Sequence, residues 1–311
     1  MNRSIINSII SFLLIGFLFS ENLDSNQSNA NTSLEKSQDN TELVVSTQKS
    51  SSTGHQMGEH FFRWIHIIAG VLWIGLLYFF NWVNGPFVAT LDAGTKKKVV
   101  PELMPRALYW FRWGAAWTWF SGMCLMVMIY WFGIMSNIEG EGFEEWSGHW
   151  AYLLPFVMVF VYDALYNSPI GKNTRLATII SYLGIAGVLY LMICVADFKE
   201  FRFYNMHIGA MFGSIMAFNV WFRIWPAQQK IITAIKDGDA PDGDLVALAG
   251  LRSKHNTYMS VPLIWTMINS HTATTISSLG LPDGVFLMII IAVGWHIVFQ
   301  LYKKSAKITG F

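Results

Sequence analysis

Runs of about 20 apolar residues recur along this chain between short polar loops, and nothing else in it constrains the fold as much. A bilayer core about 30 Å thick takes roughly 20 residues of helix, and a helix satisfies its own backbone groups in hydrocarbon. Seven such runs follow residue 59, at about 60–82, 108–135, 150–167, 176–196, 203–225, 257–279 and 283–303. With 53% of residues apolar and 13% charged, a soluble fold is excluded as the main reading. Trp and Tyr cluster near several span ends, as interfacial belts do. The expected fold is an all-α, polytopic integral membrane protein.

The first 20 residues, MNRSIINSIISFLLIGFLFS, have a short basic start and an apolar stretch. They read as a signal peptide, leaving seven spans, or as an uncleaved signal-anchor, giving eight. Residues 21–58 are rich in Asn and Ser and nearly lack aromatics, so they are expected to be an exported disordered tether ahead of a polytopic domain at 59–311. Loop charge sets the orientation. Lys96, Lys97, Lys98 and Arg106 share one side with Lys172, Arg175, Lys230, Lys236, Arg252, Lys254, Lys303, Lys304 and Lys307. The alternate loops hold EGEGFEE, DFKEF and LGLPDG. The positive-inside rule puts residues 21–59 outside and the C-terminus in the cytoplasm.

A net charge of +1 with no basic arm or patch points away from nucleic acid. Cys124 and Cys194 stand alone in apolar stretches, without CxxC or CxxCH, so they read as small buried hydrophobes. The acidic loop KDGDAPDGD lacks the EF-hand ligand spacing and its closing Glu, and reads as a surface turn.

Ionisable groups inside spans are functional candidates by default. His66 and His207 lie in the outer parts of their spans, with His271 at the outer end of the sixth, whereas His255 and His296 lie towards the cytoplasm. His55, His60 and His149 are near water. Sixteen residues of helix separate His255 from His271, which is roughly 24 Å and about 160° of azimuth, so the two cannot share one metal. Neutral imidazole is a good iron ligand, and two from facing helices hold a b-type haem without a covalent anchor. The outer set His66, His207 and His271 is the candidate for one haem b, through iron ligation, and the inner pair His255 and His296 for a second. Proton or substrate handling and plain structural hydrogen bonding remain alternatives for each. Gly70, Gly209 and Gly213 beside them suit a flat macrocycle or close helix packing. Asp163, on the cytoplasmic side of the third span, reads as an ion pair with Arg112, Arg175 or Arg223 before it reads as a proton relay. Arg63, one turn before His66, either snorkels outward or meets a haem propionate.

Four stretches, RWIHIIAGVLWIGLLYFFNWVN, WFRWGAAWTWFSGMCLMVMIYW, HIGAMFGSIMAFNVWFRIWPAQQK and RSKHNTYMSVPLIWTMINSH, resemble successive signatures of the membrane domain of bacterial membrane-bound urate oxidases, the urate hydroxylases. The resemblance spans about residues 60–303. It implies a helical integral-membrane domain that is usually followed by a C-terminal cytochrome c domain, which passes on the electrons from urate oxidation. No CxxCH occurs before Phe311, so the expected acceptor is a separate cytochrome c or a cytochrome c-containing subunit of a larger respiratory complex. The resemblance carries over His66, His207, His255 and His271, with Arg252, Asn256 and Asn269 on the substrate side, where Arg252 suits an anionic purine. Two other functions stay open: a non-catalytic electron-transfer or structural subunit, and a small-molecule transporter, for which Pro262 inside the sixth span is the hint.

Overall fold

The computed structural model describes residues 53–131, 150–197, 201–269 and 280–308, and no strand occurs among them. The expected signal segment, residues 21–52 of the expected tether, His149 and His271 lie outside the described residues. Helix α1 (Thr53–Tyr78) passes through a π-helical turn, Phe79–Asn84, into α2 (Gly85–Thr90). Because α1 begins at Thr53, the last six positions assigned to the tether are helical. Helix α3 (Ala93–Met126) starts where the Asp92 carboxylate accepts the Thr95 N–H at 3.0 Å and its hydroxyl at 2.6 Å. The same two bonds hold the Asp92 carboxyl below the usual carboxylate range.

Helix α4 (Leu154–Asn167) runs to a short 3₁₀ turn, Pro169–Lys172, and α5 (Thr174–Tyr190) returns from it. Helix α6 (Phe201–Phe218) passes through a second Asn-bearing π turn, Asn219–Ile224, into α7 (Trp225–Asp237). Pro86 and Pro226 each stand at the second position of the helix that follows such a turn. Gly238, at φ 92°, then stops α7: its N–H reaches Ile235 O at 3.2 Å, and that of Asp239 reaches Ala234 O at 2.8 Å. Helix α8 (Gly243–Ile268) and α9 (Asp283–Ser305) complete the bundle. Pro262 lies inside an unbroken α8, so the discontinuous helix that the transporter reading calls for is absent there.

Among the described residues, five stretches are long and apolar enough to cross a membrane: Gly54–Thr90, Trp150–Asn167, Thr174–Val195, Phe201–Asp237 and Asp283–Ser305. The other two of the seven expected spans fall on α3 and α8, which are helical but more polar. Helix α3 carries Lys96, Lys97, Lys98, Glu102, Arg106 and Arg112, and α8 buries Arg252, Asn256, Thr257, Ser260 and Thr266. On α3 the charges Lys97, Lys98, Glu102 and Arg106 are exposed, whereas the polar side chains of α8 face the interior of the bundle.

Helix α6 sits at the centre. In its most apolar stretch 61% of the residues are buried, against 17–22% in the other four candidate spans. It packs against α3, α4 and α8, while α1 lies along α3 and α9 along α8. The core is filled by Trp73, Leu77, Phe111, Ile208, Met211, Phe212, Met216, Leu287 and Ile291, none more than 2% exposed. A side chain at Gly209 would collide with Thr266, so this glycine sets how closely α6 and α8 approach. Interhelical hydrogen bonds pin the rest: Asn81 Nδ2 donates to Ser253 Oγ at 2.9 Å, Trp119 Nε1 to Ser214 Oγ at 3.0 Å, and Tyr302 Oη to Asn81 Oδ1 at 2.8 Å. In hydrocarbon each such bond contributes about 0.6–2 kcal/mol.

Candidate functional site

The densest polar cluster lies at the end of the bundle where α4 and α6 finish and α8 begins. Tyr162, Asp163, Tyr166 and Asn167 are paired at i, i+4 on α4 and so share one face. Asn219 and Arg223 come from the π turn after α6, and Arg252, His255 and Asn256, at i, i+3 and i+4, from α8. The Asp163 carboxylate accepts from Arg223 Nε at 2.9 Å and from its Nη2, and from Arg252 Nη2 at 3.0 Å. Arg252 Nη2 also donates to Asn167 Oδ1 at 2.8 Å. Two guanidinium groups therefore share one carboxylate. Arg252 is 0% exposed, yet its Nε and Nη1 make no hydrogen bond, and neither does Asn219 Oδ1. A buried donor left unsatisfied costs about 1–3 kcal/mol, more when charged, so a cluster with surplus cation and idle donors is configured for an anion.

Aromatic rings wall this cluster. The Arg252 guanidinium lies 5.1 Å from the Tyr162 ring and 5.8 Å from that of Tyr166, and the His255 ring stands 4.3 Å from the Tyr166 ring. Of the counter-charges expected for Asp163, Arg223 is the one that pairs with it. Arg112 instead stacks on Trp225 at 4.0 Å and Trp221 at 5.2 Å.

The histidines expected around haem sit in different settings, and His271 lies outside the described residues. His66 Nδ1 lies 2.8 Å from Thr118 O and 3.3 Å from Ser121 Oγ. A carbonyl can only accept, so Nδ1 carries the proton and the lone pair is on Nε2, the dress of a metal-ligating histidine. The ring fills a notch in α3, where a Cβ on Gly122 would come within 2.9 Å of His66 Cε1. His207 has the same tautomer, its Nδ1 donating to Phe203 O at 2.7 Å, but its ring is enclosed by Tyr152 at 4.9 Å and Tyr130 at 5.5 Å. His66 thus meets Gly122, while His207 meets Tyr130, eight positions further along the chain. The inner pair is separate too, since His255 bonds Tyr162 while His296 faces outward on α9, its Nε2 3.1 Å from Gln300 Nε2. Asn269 ends α8, donating to Trp265 O at 3.2 Å. It stands seventeen residues, or about 25 Å, from Arg252 and so does not join Arg252 and Asn256. Among the described residues no three His, Cys, Asp or Glu side chains are grouped to hold a metal ion, whereas a haem needs only one or two protein ligands.

Residues 90–309 match the family described as urate oxidase N-terminal. The chain belongs to the urate oxidase N-terminal family. No curated protein and no solved structure matches it. The matched region runs from just before α3 to the end of α9, and takes in His207 and every residue of the Asp163–Arg252 cluster. Helix α1 precedes it, so His66 stands as a candidate on geometry alone. Tyr162, Tyr166, Asn167 and Asn219 are members of the cluster that reading the sequence missed; the signal for the first three was polar i, i+4 spacing inside an apolar span. A cavity of about 600 Å³ near the opposite end, lined by Tyr204, Asp283 and Met288 among others, contains none of the candidate residues.

Proposed function

We propose that this chain is the membrane-embedded part of a urate-hydroxylase-type oxidoreductase, taking an anionic purine at Arg252 and passing electrons outward to a separate cytochrome c. The observation that carries the reading is the fully buried Arg252 with idle Nε and Nη1 donors, in a chain of the urate oxidase N-terminal family. Urate is a flat monoanion at neutral pH, suited to a guanidinium edge between tyrosine rings. Asp163 and Asn167 occupy Nη2 of Arg252 and leave Nε and Nη1 for the ligand. Full burial excludes water and strengthens each charge-assisted bond.

The electron side is assigned to His66. Its donor set fits a b-type haem, because the Thr118 carbonyl fixes the tautomer and keeps Nε2 basic. When bound, haem b supplies a one-electron carrier within the membrane. His207 is the second candidate ligand. In this scheme α3 and α8 complete seven crossings, the lysine-bearing ends of the helices face the cytoplasm of a bacterial inner membrane, and the start of α1 lies outside. One observation favours a non-catalytic electron-transfer or structural subunit instead: Arg252 is closed off from solvent, so ligand entry requires α4 or α8 to move.

Calorimetry on the purified protein tests the substrate assignment. Urate should bind saturably, Arg252→Gln should weaken it by about 30-fold or more, and neutral allantoin should not compete. Wild-type protein that takes up no urate would refute it.

A further inference from the structure

The hydrogen bonds around Tyr162 run in one direction. Asn219 Nδ2 donates to Tyr162 Oη at 3.0 Å, and Tyr162 Oη lies 2.8 Å from His255 Nδ1. An amide nitrogen cannot accept, so the tyrosine proton goes to His255 Nδ1 and the imidazole is the neutral tautomer protonated at Nε2. Asn219 is held in this orientation by its bond to Asn256 Oδ1 at 2.8 Å, and Asn256 in turn donates to Met216 O at 3.0 Å. The groups facing the pair are Tyr166 and Asp163 on α4, Arg223 after α6, and Arg252 and Lys254 on α8. The cations flanking His255 oppose a further positive charge on its ring, and an anion seated on Arg252 removes that opposition.

We propose that Tyr162 and His255 form a proton relay that accepts a proton from an N–H of the purine anion held at Arg252. The inference rests on the substrate reading above. In the step, the ligand N–H bond breaks as an O–H bond forms at Tyr162 Oη, and the original Tyr162 proton passes to His255 Nδ1. Tyr162 ends neutral, His255 ends as imidazolium, and the ligand carries one more negative charge beside Arg252. No electron moves in this step. Asn219 is a positioning residue, since it fixes which way the Tyr162 proton points.

Tyr162→Phe and His255→Gln in the full-length protein test the relay through steady-state urate oxidation with cytochrome c as acceptor. Both should lower kcat by about 100-fold or more while KM stays within about threefold. The acidic limb of the wild-type kcat–pH profile, where a protonated His255 can no longer accept, should disappear in both. A Tyr162→Phe protein with wild-type kcat and pH profile overturns the relay and leaves the substrate site standing. A rise in KM at constant kcat also overturns it, by reducing Tyr162 to a structural contact. Wild-type protein that oxidises no urate overturns the function and the relay together.

Discussion

Asp163→Asn should destabilise the protein by about 3–5 kcal/mol, the cost of stripping the partner from a buried charge. The substitution removes the one carboxylate that balances Arg252, which is 0% exposed, leaving it neutral oxygens alone, and it removes the two-oxygen seat of Arg223. Arg223→Gln should cost much less, because that side chain is 32% exposed and water can replace its partner. Unfolding in detergent, followed by helix signal against denaturant, measures both. Replacing Asp163 and Arg252 together by Leu and Met should restore most of the stability, since well-packed apolar pairs often match buried ion pairs. The double variant should nevertheless bind no urate, which separates stability from site chemistry. An Asp163→Asn protein within about 1 kcal/mol of wild type would mean that the cluster is solvated.

Gly122→Ala should remove haem b as thoroughly as His66→Ala does. The new methyl would stand 2.9 Å from Cε1 and 3.2 Å from Nδ1 of His66, well inside contact distance, so the ring must leave its notch. Leaving it breaks the 2.8 Å bond to Thr118 O that sets the tautomer. Loss of such a supporting bond weakens metal affinity by about 10- to 100-fold. Gly70→Ala is the control on the same interface, since its methyl would meet Thr118 Cγ2 at an ordinary 3.8 Å. Pyridine haemochrome and dithionite-minus-oxidised spectra give the haem content of each variant. Full haem occupancy in Gly122→Ala would remove His66 from the ligand set.

Residues that advertise a cost were readable in the sequence. Asp163 inside an apolar run demands a counter-charge, and Arg223 supplies it. Arg252, His255 and Asn256 sit at i, i+3 and i+4, so their common face follows from helix geometry. Uncharged polar residues gave no such signal. Tyr162 and Tyr166 pass as interfacial aromatics until α8 closes on them. The seat of His66 depends on Gly122, 56 positions away in sequence, which no local pattern reveals. Asn269 misled for the opposite reason: it shares one quoted stretch with Arg252, yet the length of α8 puts the two at opposite ends of the bundle. The polarity of α8 has the same origin as the site, because the side chains that weaken its membrane signature are those that bind the bundle and build the cluster.

The central claim joins an anionic purine at Arg252 to a haem at His66, and anaerobic spectroscopy on the purified, haem-replete protein addresses both at once. Urate alone should reduce haem b in the wild type, added cytochrome c should reoxidise it, and Arg252→Lys, which keeps the charge but loses the fork, should slow the reduction. A haem that dithionite reduces but urate leaves oxidised would contradict the account.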